Sequence, residues 1–519
     1  MDLPAPPVGD PITLGAQVNG NLTSGTDSKT YALDLSDAKR LYFDVLSNTP
    51  YVQWSLTGPS GALVTSRYFY SSDGSNASSY GNTPILDLAA GHYTLTVGGS
   101  AGAFAFRLLD LAAATAVTVD SSGKADVSGQ LSPRSETDAY SFTAKAGERY
   151  YFQRLQGNYN SAFWRLIGPS GQVVMGPSDQ WYDVENVTLP EAGTYTLLIE
   201  GPYYYTDTAN YSFRISRITD PAPVTIDLGQ VVSGSIDSAG QVSHYTLVLD
   251  QARQVYFDTL GSANDGAVAW TLSNSLLGSV VNSRAFSQSN AYDRSGNGVL
   301  LDLAAGTYDL VVDGAGSFTG AYKFRLLDTT AAATTITLDS TVVANVDPAD
   351  STRFYRFDAT AGQRVFFDML GSTGSTPYWR VIGPHGEVVQ DVQWGGSDRD
   401  VTTLPSSGSY LLMVEGVRNA TGTASLSFNL RTVTDKTDTL TLGSTVNASI
   451  DAPGQTSRYT FTLGDRKRVF FDALNYNGNV TWSLTGPRGV VVSSRAFGSS
   501  DGTTNQPWLD LPAGGAATP

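Results

Sequence analysis

Apolar residues fall at alternate positions along short runs of this chain, and Gly, Pro, Asn, Asp and Ser separate the runs. Tyr93, Leu95 and Val97 alternate with polar neighbours, and so do Tyr308, Leu310 and Val312. Period-two alternation of aromatic and aliphatic residues predicts half-buried strands. No segment carries a sustained helical apolar period, so no long helix is expected.

The pattern returns five times. An alternating strand that ends in an aromatic pair begins at Tyr31, Tyr140, Tyr245, Tyr355 and Tyr459, at intervals of 104 to 110 residues. A tryptophan follows in each copy: Trp54, Trp164, Trp270, Trp379 and Trp482. In all but the Trp270 copy a Gly-Pro turn comes next. Pro pre-sets the first torsion of such a turn and the flanking Gly accepts positive φ, which predicts a tight hairpin. The closing strand reads LDLAAGHYTLTV from Leu86 and TLPSSGSYLLMV from Thr403, and an aromatic-x-Phe-x-aliphatic run such as Phe104, Phe106 and Leu108 comes last. Copies one, three and five resemble one another (type A), as do copies two and four (type B), giving a super-period of 214 or 215 residues. A fixed period of this kind signals a repeat architecture.

The expected fold is all-β: a tandem array of five two-sheet β-sandwich domains of Greek-key or jelly-roll type, the fifth incomplete. The expected limits are 1–112, 113–220, 221–328, 329–435 and 436–519. The five tryptophans should anchor the cores. The fifth copy reaches Pro519 without counterparts of the last two strands. A fragment of a longer protein is expected, with strands supplied by another chain as the alternative. Linkers such as Asp110 to Thr115 are short, which predicts a semi-rigid string.

Composition then removes functions. With no cysteine there is no disulfide, thiolate metal site or cysteine nucleophile. The three histidines, His92, His244 and His385, lie in separate copies and cannot form one zinc site. A net charge of −16 argues against nucleic acid as a partner. No apolar run approaches the length of a membrane span, and Met1 to Asp10 is not a signal peptide, so membrane insertion is not expected. Acidic residues are 41 Asp against 7 Glu, the balance of a turn-rich chain.

Candidate chemistry is sparse. Gly98 to Gly102 matches a nucleophile-elbow pattern but sits between two strands, where a turn is expected. Asp44, Asp258, Asp368 and Asp472 follow the aromatic pair, and a strand-end carboxylate bonded to a loop amide is expected there. Asp73 with Asn76, and Asp501 with Asn505, are the calcium candidates, in loops that equally suit plain Asp-Gly turns. No other cofactor is implied. Trp181, Tyr203, Tyr204, Tyr205 and Trp394 lie outside the repeated core and are candidate contacts for a polysaccharide or surface glycan. Tyr68-Phe69-Tyr70 leads into another loop of this kind. Seven glycosylation sequons, Asn21 and Asn186 among them, carry little weight in an Asn- and Ser-rich chain.

The strand, tryptophan-turn and closing-strand motifs together resemble the bacterial pre-peptidase C-terminal domain. FTAKAGERYYF and AGTYTLLIEG in copy two, with FDATAGQRVFF and GSYLLMVEG in copy four, carry the likeness. The resemblance implies a β-sandwich of secreted bacterial peptidases or of long modular surface proteins, and no catalytic residue. The expected function is therefore a non-catalytic spacer region of a large exported, adhesin-like bacterial protein. It would lie outside the cell or on its surface, with neighbouring domains of a longer chain or copies of itself as partners. The alternatives are a filament or matrix subunit that exchanges strands at the fifth copy, and a substrate-docking region of a secreted peptidase.

Overall fold

The computed structural model describes residues 9–157, 162–177, 182–261, 266–289, 300–392, 398–475, 477–501 and 508–517. In the first unit the strands are β1 (Asp10–Pro11), β2 (Val18–Leu22), β3 (Lys29–Leu35), β4 (Lys39–Val45), β5 (Val52–Gly58), β6 (Gly61–Tyr68), β7 (Ile85–Leu88), β8 (Gly91–Gly99) and β9 (Gly102–Asp110). They form a five-stranded sheet in the order β1-β3-β8-β5-β6 and a four-stranded sheet in the order β2-β9-β4-β7. The ladders are antiparallel except for the short parallel pair of β1 with β3. Units two, three and four repeat both strand orders.

The alternation read in the sequence sets which side chains meet. Tyr31, Leu33, Trp54, Tyr93, Leu95 and Val97 from one sheet pack against Phe43, Phe104, Phe106 and Leu108 from the other. The aromatic pair meets the tryptophan at the centre. Phe43 stacks on Trp54 with ring centroids 3.9 Å apart, and Phe257 on Trp270, Phe367 on Trp379 and Phe471 on Trp482 repeat the geometry. In unit two Phe152 meets Trp164 edge-on at 6.2 Å. The first four tryptophans are fully buried, whereas Trp482 is half-buried.

A loop serine completes this core in units one, three and five. The Trp54 indole donates to Ser72 Oγ at 2.7 Å, Trp270 to Ser289 at 2.7 Å and Trp482 to Ser500 at 2.6 Å. Gly98 to Gly102 joins β8 to β9 as a hairpin, as expected of a turn.

The expectation of a tandem array of five two-sheet β-sandwich domains, the fifth incomplete, has to be corrected: the all-β chain reads as a β-solenoid, not as separate sandwiches. Buried apolar clusters run across the unit boundaries: Tyr42 and Leu111 with Ile167 and Leu198, and Tyr256 and Leu327 with Phe354, Ile382, Leu411 and Met413. The fifth unit does not close into the same two sheets. Among the described residues its strands form separate three-, two- and two-stranded sheets. The structure supports an all-β repeat array, solenoid-like in that each unit is completed by its neighbours. The period-two pattern specifies strands, but it does not show that a strand's second face is buried by the next unit.

Candidate functional site: the seams between alternating units

The A–B seam is built from the two ends of β4 and β9 and from the next unit's central strands. Tyr42 and Asp44 alternate with the core residues Leu41 and Phe43, so they point out of the first core and into the second unit. Asp44 is fully buried. It pairs with Arg107 at 2.6 Å and accepts a hydrogen bond from the Thr137 amide at 3.2 Å. Arg107 in turn donates to the Thr137 carbonyl at 2.7 Å. On the B side, Arg165 and Glu200 are 3% and 0% exposed and form a bidentate pair at 2.5 and 3.2 Å. Arg165 Nη2 also reaches back to the Gly74 carbonyl at 3.1 Å, and the Gly74 amide donates to the Tyr42 hydroxyl at 3.0 Å. A polar network therefore threads an apolar seam, with most of its groups satisfied across the boundary.

The Asp–Arg–Thr part of this network recurs between units three and four. Asp258 pairs with Arg325 at 2.7 Å and accepts from the Thr352 amide at 3.3 Å and from its hydroxyl at 2.9 Å. Arg380 and Glu415 are buried at the positions of Arg165 and Glu200. Burial pushes the Asp44 carboxyl up to about 7 against the opposing pull of Arg107. Burial likewise pushes Glu415 up to about 7 against Arg380. Asp258 is raised for the same reason.

The B–A seam is lighter. Arg149 pairs with Asp220 and donates to the Gly240 carbonyl at 3.2 Å, and Tyr151, Ile218 and Ala239 pack beneath. Arg364, Asp435 and Gly454 repeat this latch between units four and five. Its arginines and carboxylates are partly exposed, unlike those of the A–B seam.

The strand-end aspartates expected to bond loop amides do more than that in units one and three, where each clamps an arginine of its own unit and an amide of the next. Asp368 pairs with Arg431 at 2.6 Å. The loop carboxylates named as calcium candidates each accept a backbone amide of the strand end. Asp73 is buried and accepts from the Val45 amide at 2.6 Å, and Asp501 accepts from the Ala473 amide at 3.0 Å. Burial and the neighbouring Asp44 hold the Asp73 carboxyl well above the usual carboxylate range. Sequence reasoning missed that Asp183 and Asp398 perform the same task, accepting from the amides of Arg154 at 2.8 Å and Met369 at 2.9 Å. The signal was an Asp 28 or 29 residues after the strand end in copies one, two, four and five. Asn76 is half-buried in the short helix Gly74–Ser79. Asn505, Trp181 and Trp394 lie outside the described residues. Among the described residues no group of three or more His, Asp or Glu is placed to hold a metal ion, and no helix is long and apolar enough to cross a membrane.

Tyr203, Tyr204 and Tyr205 lie at the edge of the first A–B seam. Tyr203 packs against the core of unit one, and Asn48 Nδ2 donates to the Tyr204 carbonyl at 3.2 Å. Two loops read separately in the sequence thus meet here.

No family model and no curated protein sequence matches the chain. Similar solved structures include PliG, a periplasmic inhibitor of g-type lysozyme, from Aeromonas hydrophila, at 21% identity over 20% of this chain and 96% of that one, with a TM-score of 0.16. PliG from Salmonella Typhimurium gives 24% identity over 20% and 96%, also with a TM-score of 0.16. The pre-peptidase C-terminal domain of a Bacillus anthracis collagenase gives 18% identity over 20% and 93%, with a TM-score of 0.16.

Proposed function

We propose that this chain is a non-catalytic structural repeat region that spaces and presents other parts of a large exported bacterial surface protein. The observation that carries the reading is the A–B seam. The same buried Tyr, Asp, Arg and Glu positions recur one super-period apart and lock each A unit to the B unit that follows. Buried, hydrogen-bonded seams resist bending, and resistance to bending is what a spacer needs. An acidic chain keeps such an array soluble. Small-angle scattering of the full chain tests this. One narrow distribution of dimensions, unchanged between low and high salt, is expected. A broad distribution typical of freely jointed domains would overturn the reading.

A further inference from the structure

We infer that the first A–B seam carries a binding platform for a neutral polysaccharide, formed by tyrosines of both units. Tyr68 stacks on Tyr70 at 5.1 Å, Tyr70 meets Tyr80 edge-on at 5.0 Å, and Tyr51 lies 6.4 Å from Tyr70. From unit two, Tyr204 packs 4.6 Å from Tyr205 and 5.2 Å from Tyr203. Tyr51, Tyr80 and Tyr204 are 65%, 59% and 41% exposed, so the rings are available rather than buried.

The array itself shows that the fold does not need these rings. In the matching seam between units three and four, Tyr68 and Tyr70 are replaced by Ala285 and Ser287, and Tyr203 and Tyr204 by Arg418 and Asn419. There Arg418 Nη1 bridges the units by donating to the Ser287 carbonyl at 3.3 Å. In unit five the first pair is Ala496 and Gly498. The seam therefore closes without these four tyrosines, and the aromatic set at the first seam answers to something outside the fold. It is also held in place before any ligand arrives. Tyr203 is anchored on the core of unit one, and Asn48 fixes the Tyr204 backbone across the boundary.

The chemistry of the platform selects the ligand class. Flat apolar faces ending in hydroxyl groups match a polymer whose own units alternate apolar faces with hydroxyls. The charges beside the rings are already engaged. The Arg134 guanidinium lies 4.3 Å over Tyr205 and pairs with Asp207, and Arg67 donates to the Thr83 carbonyl at 2.8 Å. A protein of net charge −16 repels acidic polymers, which leaves neutral glycans as the favoured class.

The test is affinity electrophoresis of the full chain in gels containing hydroxyethylcellulose, galactomannan or laminarin, with alginate as the acidic polymer and gelatin as the polypeptide. The triple variant Tyr51→Ser, Tyr80→Ser, Tyr204→Ser removes exposed rings and leaves Tyr203 on its core. Leu276→Ser, at an exposed hairpin of unit three, is the control, and unchanged amide exchange of both seams certifies folding. Retardation by at least one neutral polysaccharide is expected, weakened at least about tenfold in the triple variant and unchanged in the control. Wild type that no neutral polysaccharide retards, a triple variant that binds as well as wild type, or retardation by gelatin or alginate alone would each overturn the proposal.

Discussion

Replacing Arg165 with Leu should open the first A–B seam and leave the second one closed. The guanidinium makes two charge-assisted bonds to Glu200 and one to the Gly74 carbonyl, and both members of the pair are shut off from water. Leu fills much of the space but leaves the Glu200 carboxylate buried without its cation. Breaking one side of such a pair costs about 3–5 kcal/mol. That is a large part of the roughly 5–15 kcal/mol that holds a single domain together. The seam should therefore part before either core unfolds. The readout is amide hydrogen exchange of the whole protein, because an array of this size does not unfold in one step. The Thr137 amide donates across the first seam, and the Thr352 amide does the same across the second. At about 1.4 kcal/mol per factor of ten, Thr137 should exchange at least about a hundredfold faster while Thr352 is unchanged. The double variant Arg165→Leu, Glu200→Leu should recover most of the loss, since replacing both charges with apolar groups of similar size is close to neutral. Unaltered exchange at Thr137, or a double variant as open as the single one, would refute the argument.

Three further outcomes follow from the same geometry. Asp44 and Glu415 hold protons up to about pH 7 in the folded state, whereas free carboxyls release theirs near pH 4. The folded protein then binds more protons between those values, so its stability falls as pH rises through that window. Melting should drop between pH 5.5 and 8 by about 2 kcal/mol per group, and Asp44→Asn should remove its share of the slope. Trp270→Ala should cost about 3–5 kcal/mol by urea denaturation, and Trp482→Ala, at a half-buried site, clearly less. Asp73→Ala should cost about 1–3 kcal/mol by leaving the Val45 amide unpaired, while adding calcium or a chelator should not shift the wild-type melting temperature.

The parts of the fold legible in the sequence were those that one strand reports by itself. Alternation at Tyr93, Leu95 and Val97 identified a half-buried strand, and the Trp54 and Phe43 positions identified the core that they now share. The seams were not legible, for a physical reason. Tyr42 and Asp44 occupy the polar-or-aromatic phase of the same alternation, which in an isolated sheet faces water. Only the three-dimensional stack shows that this second face is buried by Ile167 and Leu198 of the next unit. The partners of the loop aspartates were not legible for a related reason. Asp73 next to Gly74 reads as a turn or a ligand until Val45, 28 residues earlier, is seen to donate to it.

The seam also accounts for why the repeat comes in two kinds. A junction between identical units would have to place its anion, its cation and their partners on both faces of every copy. Here the A unit contributes Tyr42 and Asp44 with Arg107, and the B unit contributes the Arg165–Glu200 pair and the Thr137 backbone. In unit two, Tyr151 and Gln153 stand where unit one has Tyr42 and Asp44, so that face lacks the carboxylate; unit four keeps one, Asp368, which pairs with Arg431 of its own unit. That face closes instead with the half-exposed Arg149–Asp220 latch, of the kind that contributes little stability. Strong and weak junctions must then alternate, and the block that moves as one body is the A–B pair. Bending, where the array bends at all, belongs at Asp220 and Asp435. Grafting Asp in place of Gln153 would test this asymmetry directly. Arg214, across the ladder from Gln153, is already held by Asp126, and the Val242 amide at the place of Thr137 already donates to Asp220, so the added carboxylate should weaken the second junction, and strengthening there would show that the face, not the charge, sets the order of the repeats.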